Sequence, residues 1–312
     1  VRRFAMSSKV LIAVVGPTAI GKTKLAIEIA QHFGTEIISA DSRQFFKEMR
    51  IGTAVPSEKE LNTAKHHFIQ HLSVEDSYSV GDFERDALNK LEELFALNDV
   101  VVMVGGSGLY VDAVTKGLDE FPEVDPSIRT SLNERLQSAG LEALQKELKT
   151  RDPIYYEQVD LENPHRLIRA LEVCIASGKP YSSFLNQNRN PRPFQSVYVG
   201  IEADREIIYE RINQRVDIMV KDGLLEEAKS LHSHKHLNAL QTVGYRELFE
   251  YFEGNCELEF SIAEIKKNSR RFAKRQLTWL RKNEQILWVD FEAKPAAILS
   301  IIENKIQATN GN

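Results

Sequence analysis

Val10-Leu-Ile-Ala-Val-Val15, continued by Gly16-Pro-Thr-Ala-Ile-Gly-Lys-Thr23, is the stretch that decides the fold. The apolar run is a core strand. It leads directly into the pattern G-x-x-x-x-G-K-[ST], and residues 24–33 beyond it have helical patterning. Strand, glycine-rich turn and helix in that order make a phosphate-binding P-loop. Gly16, Pro17, Thr18, Ala19, Ile20, Gly21, Lys22 and Thr23 are the expected cradle: turn amides point at the anion, Lys22 adds a charge, and the Thr23 hydroxyl is placed to hold Mg2+. A chance glycine turn is the competing reading, and the flanking strand and helix argue against it. The chain therefore reads as an enzyme acting on a phosphorylated small molecule.

Outward from the loop, β-rich runs recur at residues 36–40, 100–104, 196–201 and 286–289, with helical patterns between them. Strands alternating with helices imply parallel βαβ units, hence an α/β fold with helices on both faces of the sheet. Between residues 114 and 195 the strand signal vanishes. Asp125-Pro126 and Asn163-Pro164 supply helix starts there, and Gly178-Lys-Pro180 a stop. The bordering segments 117–125 and 186–193 are loop-like. The predicted organisation is a P-loop NTPase-like core, residues 1–120 and 196–312, carrying an all-helical insertion at 121–195. The last strong helix is expected over roughly residues 261–282.

The 312 residues are 42% hydrophobic and 27% charged, an ordinary globular balance. No run approaches the roughly 20 apolar residues of a membrane span. The basic start, Val1-Arg-Arg-Phe-Ala-Met6, precedes a core strand, so a signal peptide is not expected. Cys174 and Cys256 stand far apart, which excludes a zinc ribbon or disulfide framework and fits a reducing cytoplasm. A net charge of -5 argues against a protein that coats nucleic acid, but leaves room for a local basic face. No interface signal stands out, so a monomer is expected.

Asp41 follows the second predicted strand. Carboxylates at strand ends face the same crevice as the P-loop, where Asp41 either binds magnesium or acts as a general base. A second glycine loop, Val104-Gly-Gly-Ser107, follows the strand at 100–104, and Ser107 is either a helix cap or a ligand contact. Kinases and NTPases usually end such a strand in an acid that holds magnesium. Its absence here argues against ATP as substrate. Lys266, Lys267, Arg270, Arg271, Lys274, Arg275, Arg281 and Lys282 crowd one helix with no acid between the first and last. They form either a solvated face or a polyanion surface. Arg166 and Arg169 share a helical face, and either pair with Glu162 and Glu172 or meet an anion. His67 with His71, and His232 with His234 and His236, lack convergent partners and suit loop and surface roles. Phe45-Phe46 and Tyr155-Tyr156 suit the core, with base stacking the alternative.

Together these segments resemble the tRNA dimethylallyltransferases. The resemblance rests on the P-loop, Asp41-Ser-Arg-Gln44, Ile51-Gly-Thr-Ala54, Tyr78-Ser-Val-Gly-Asp-Phe83, Val104-Gly-Gly-Ser107, Asn163-Pro-His-Arg-Leu-Ile-Arg-Ala-Leu-Glu172, Val243-Gly-Tyr-Arg246 and Ala273-Lys-Arg-Gln-Leu-Thr-Trp279. It runs in order from about residue 10 to 290. The resemblance implies two substrates, dimethylallyl diphosphate and the anticodon stem-loop of a tRNA, whose adenine just 3′ of the anticodon receives the prenyl group. The P-loop would hold a diphosphate leaving group, which accounts for the missing acid. Asp41 matches the general base, Ser107 a target-nucleotide contact that is usually threonine, and Arg215 an arginine reaching the diphosphate. The tRNA-contacting stretches match Asp41, Ser42, Arg43 and Gln44; Ser107; Arg129; His165, Arg166, Leu167, Ile168 and Arg169; and Gln241, Thr242, Val243, Gly244, Tyr245 and Arg246. Val55 stands where the family commonly has lysine. No cysteine follows Cys256, so the likeness is to the shorter bacterial type.

Two other enzyme readings compete. A small-molecule P-loop kinase explains residues 16–23 but not the basic helix or the missing acid. Isopentenyl transfer to a free adenine nucleotide shares the chemistry, but leaves the insertion and basic surfaces without a purpose. A non-enzymatic RNA-binding protein would have no use for the P-loop.

Overall fold

A computed structural model describes residues 9–187 and 191–310. The basic start and the middle of the loop expected at 186–193 lie outside the described residues. The chain divides into two compact units, one comprising the segments up to Thr115 and from Arg192 onward, the other Lys116–Pro191.

The first unit is built on a six-stranded parallel sheet in the order β3-β2-β4-β1-β5-β6. Its strands are β1 Val10–Val15, β2 Ile37–Ser39, β3 His66–His67, β4 Val100–Val104, β5 Gln195–Glu202 and β6 Ile286–Asp290. β1 is central, paired with β4 from Val10 opposite Val100 and with β5 from Val10 opposite Gln195. Its alternation divides the core: Leu11, Ala13 and Val15 join one apolar cluster, Val10, Ile12 and Val14 the other. Both faces are thus covered, as a parallel sheet requires. Phe45 and Phe46 lie in the first cluster. β3 escaped the sequence because two residues carry no period. It forms through pairing of Ile37 and Ile38 with His66 and His67, and His67 is braced by Glu36 at 2.5 Å.

Helices α1 (Lys22–Phe33), α2 (Glu58–Thr63), α3 (Val80–Phe95) and α4 (Gly108–Lys116) alternate with the first strands. Gly34, at φ 64°, ends α1 and donates its N–H to the Gln31 carbonyl. In the second unit α5 (Pro126–Arg151), α6 (Pro153–Tyr156) and α7 (Pro164–Ser177) contain no strand. Asp125 and Asn163 cap α5 and α7, accepting from Ser127 N at 2.9 Å and Arg166 N at 3.2 Å. α5 breaks at Gly140, φ 76° and ψ 177°, so it is two helices across a kink. After β5 come α8 (Arg205–Lys221), α9 (Leu224–Ser230), α10 (Tyr245–Phe252), α11 (Leu258–Leu280) and, beyond β6, α12 (Pro295–Asn310). No described helix is long and apolar enough to cross a membrane.

Candidate functional site

The P-loop joins β1 to α1. A Cβ on Gly16 would lie 3.0 Å from the Ile201 carbonyl oxygen at a φ of 151°, so a side chain here would press on β5 from a strained backbone. Lys22 turns back over the loop and donates to the Pro17 carbonyl at 2.7 Å. Burial, then the Arg215 charge, lowers its pKa to about 8, against a smaller opposite pull from Asp41. From α8, Arg211 Nε donates to the Ala19 carbonyl at 2.8 Å and Arg215 Nη1 to Thr18 Oγ1 at 3.4 Å. Burial lowers the Arg215 pKa, with Asp41 opposing.

Asp41 leaves the end of β2. Its Oδ1 accepts the Arg43 amide at 3.1 Å and its carbonyl the Gln44 amide at 3.0 Å, an Asx-type turn. Oδ2 has no hydrogen bond to the described residues. Arg43 donates to the carbonyls of Asn238 and Ala239, both at 2.9 Å, and Gln44 Nε2 to those of Thr53 and Ala54, both at 3.1 Å. The second glycine loop packs directly against this segment. A Cβ on Gly105 would lie 2.7 Å from the Ala40 carbonyl oxygen. The Ser107 carbonyl, not its hydroxyl, accepts the first α4 amides, Tyr110 N at 2.9 Å and Val111 N at 3.1 Å. The hydroxyl turns to Ser42, 3.4 Å from both its N and its Oγ.

Gln276, a buried residue of α11, joins the two glycine loops. Its Oε1 accepts the Thr18 amide at 2.9 Å, and its Nε2 donates to the Gly106 carbonyl at 2.8 Å. A Cβ on Gly106 would collide with that amide, and one on Gly108 with the Trp279 indole. Sequence reasoning kept Gln276 within a matched segment but gave it no role. Its partners lie 258 and 170 residues away, and no local signal could have found them.

Two cavities open from this frame. One, about 530 Å³, is lined by the P-loop residues Thr18, Ala19, Gly21, Lys22 and Thr23, with Val55, Met219 and Phe272. The other, about 580 Å³, is lined by Ser42, Arg43, Ser107, Tyr110, Arg246 and Trp279, among others. Asp41, Arg215 and Gln276 line both. Gln44 faces the first cavity; Gln241, Thr242, Val243 and Gly244 face the second. Tyr245 corrects the expectation of a nucleic-acid contact. Its side chain is fully buried because it closes on Gly52 and bonds Glu227 at 2.7 Å.

In the second unit Leu167 and Ile168 are also corrections. They are 0% and 5% exposed and belong to its apolar core, whereas His165 and Arg166 before them on α7 are exposed. Arg129 grips the buried Glu172 through Nε and Nη2 at 2.7 and 2.8 Å, and Arg169 reaches it at 2.6 Å. Burial alone would raise the Glu172 pKa, but these bonds outweigh it and lower it. Arg169 also stacks over Phe121 at 4.8 Å. Part of the α11 charge has partners on a neighbouring helix: Lys266 pairs with Asp217 at 2.6 Å, and Arg270, without losing its charge, donates to the Asn213 amide oxygen at 2.7 Å. Lys267 pairs with Glu264 on its own helix at 2.7 Å. Arg271, Lys274, Arg275, Arg281 and Lys282 remain exposed.

Residues 44–283 match the family described as IPP transferase. Over 299 residues the chain is 61% identical to a tRNA dimethylallyltransferase of Christiangramia forsetii, covering 96% of this chain and 99% of that one. A tRNA dimethylallyltransferase of Flavobacterium johnsoniae is 59% identical over 303 residues, covering 95% and 98%. Among solved structures, a full-length tRNA isopentenylpyrophosphate transferase from Bacillus halodurans superimposes with a TM-score of 0.72 at 35% identity, covering 96% and 97%.

Proposed function

The chain belongs to the IPP transferase family, and on that premise we propose how its two cavities move a dimethylallyl group onto an adenosine of tRNA. The protein is a prenyl transferase that modifies tRNA. Its donor is dimethylallyl diphosphate, with the diphosphate in the cradle of residues 16–23 and the hydrocarbon against Met219 and Phe272. Its acceptor is the adenine just 3′ of the anticodon, drawn into the larger cavity beside Ser107 and Arg246. The exocyclic nitrogen attacks the allylic carbon, the bond from that carbon to the diphosphate oxygen breaks, and Asp41 takes the amine proton. An adenine amine is a poor nucleophile, so orientation and proton removal carry much of the rate. Lys22, Arg215 and the loop amides balance the charge that grows on the leaving diphosphate.

The observation that carries this reading is the carboxylate of Asp41 on the wall common to both cavities. A kinase would leave the larger cavity and the Gly105-Gly106 ending of β4 without a use. The residues present suit a magnesium ion shared with a diphosphate. Thr23 offers one hydroxyl, and no three His, Cys, Asp or Glu side chains among the described residues converge to form a closed cage. Mg2+ takes few protein oxygens and fills its octahedron with phosphate oxygens and water. Bound through Thr23, it would supply Lewis-acid stabilisation of the leaving group. Arg166 and its neighbours on the second unit, with the exposed charges of α11, would meet the anticodon stem-loop. We place the enzyme in the cytoplasm, where a reducing environment keeps thiols such as those of Cys174 and Cys256 free.

The test supplies labelled dimethylallyl diphosphate and magnesium with either unmodified tRNA or adenosine monophosphate. Label should enter tRNA; label in the nucleotide alone would move the acceptor to free nucleotides, and label in neither would end the prenyl-transfer reading. Asp41→Ala should slow transfer by about 10²- to 10⁴-fold with tRNA affinity nearly intact. A fully active variant would remove Asp41 as base.

A further inference from the structure

Behind both cavities one carboxylate gathers four hydrogen bonds. Glu227, on α9, accepts through Oε2 from the backbone amides of Arg50 at 3.0 Å and Ile51 at 2.8 Å. Through Oε1 it accepts from the Gly52 amide at 2.9 Å and the Tyr245 hydroxyl at 2.7 Å. All four partners are donors, so every acceptor site of the ionised carboxylate is filled. Gly52 is part of the same joint. A Cβ there would lie 2.6 Å from the Tyr245 hydroxyl oxygen, so the turn and the buried ring are in direct contact.

The elements joined are the walls of the reaction site. Thr53 and Ala54, at the end of the held turn, line both cavities, and Ala54 keeps a left-handed φ of 50°. Their carbonyls accept Gln44 Nε2, and the Gln44 amide bonds the Asp41 carbonyl. On the other side, Gln241, Thr242, Val243, Gly244 and Arg246 flank Tyr245 on the wall of the larger cavity. One side chain thus connects the donor wall, the acceptor wall and the segment that carries Asp41.

We propose that Glu227, acting with Tyr245, is a positioning residue for the transfer: its carboxylate holds the 50–54 turn and the 241–246 segment in one register, so that allylic carbon, adenine amine and Asp41 meet. The inference rests on the roles given above to Asp41 and the two cavities. Glu227 touches neither substrate. It acts through backbone placement, where an error of about 1 Å costs on the order of 10²-fold in rate.

Two variants test it. Glu227→Gln keeps the shape but turns an NH2 group toward backbone donors. Tyr245→Phe removes one hydroxyl and leaves the ring on Gly52. Single-turnover and steady-state kinetics on folded protein should show kcat lowered by roughly 10-fold or more in Glu227→Gln and by a few-fold in Tyr245→Phe. KM for dimethylallyl diphosphate and for tRNA should stay within about twofold, because the contacts to each substrate remain. The double variant should be no slower than Glu227→Gln alone, since the shared bond is already lost. A merely structural role would instead lower the folded fraction and leave kcat per folded molecule unchanged, which overturns the proposal. So does a raised KM with normal kcat. If Glu227→Gln does not fold, Tyr245→Phe decides. Asp41→Asn, measured alongside, keeps the two readings apart: its full activity removes the base, whereas its inactivity beside Glu227 and Tyr245 variants of wild-type kcat removes the positioning role alone.

Discussion

Lys22 shows how a residue's setting becomes a measurable property. Burial and Arg215 bring its pKa to about 8, below its ordinary value of 10.5. Between those values the unfolded chain binds more protons than the folded one, so the ligand-free protein gains stability as pH rises through that window. Diphosphate reverses the balance, because an anion beside the ammonium favours its charged form. Donor affinity should therefore fall as pH rises past about 8, and binding near pH 9 should take up a proton. Calorimetry in two buffers of different ionisation enthalpy reads that uptake directly, and Lys22→Met should abolish it. Lys22 and Asp41 were legible as site residues because each follows a strand in a local pattern. Glu227 was not: in Leu-Leu-Glu-Glu it resembles any exposed helical acid, and its backbone partners lie 175 to 177 residues away.

Elements were legible to the extent that their causes are local. β1 and β4 stand at their expected bounds, Asp125 and Asn163 start α5 and α7, and Gly178 ends α7, as their chemistry requires. α1 starts at Lys22, inside the P-loop itself, two residues before the expected run. α11 spans Leu258–Leu280, and its inward stripe carries the apolar Ile265, Ala273 and Leu280, but also Gln276. A glutamine on an apolar stripe signals a buried polar contact without naming its partners. Gln276→Met would take the protein partner from the Thr18 amide and the Gly106 carbonyl, both part-buried at a cavity wall, at a cost below the roughly 1–3 kcal/mol of a fully buried group. Lower urea midpoints and slower transfer should follow together. Gly105→Ala tests the same frame from β4. Its methyl would press on Ala40 at the end of β2, and overpacking of this kind costs about 1–3 kcal/mol. The shift should reach Asp41 and lower kcat, whereas an unchanged unfolding midpoint would show that the two loops can part freely.

At the scale of the molecule, each unit has its own apolar core, and the second is pinned by a buried carboxylate, Glu172, between two arginines. That arrangement changes which basic residues can report on nucleic acid. Arg129 and Arg169 matched tRNA-contacting positions, yet each also neutralises Glu172, so replacing either removes a structural bond along with a charge. The depressed Glu172 pKa adds stability above the ordinary glutamate range that is lost as pH falls through its folded value, so acid should weaken the second unit. Arg166 is different: it is exposed and makes no ion pair among the described residues. The sequence presented Arg166 and Arg169 as equivalent, since helical spacing identifies a shared face but not the acid that occupies it. Their variants should therefore separate. Arg166→Ala should leave the melting temperature unchanged and reduce the slope of log affinity for tRNA against log salt by about 0.7–0.9, one phosphate contact. Arg169→Ala should lower the melting temperature as well, because Glu172 loses one of its two partners. Equal melting losses in both variants would mean that Arg166 serves the unit's own structure, and an unchanged salt slope in Arg166→Ala would take this face of α7 away from the RNA.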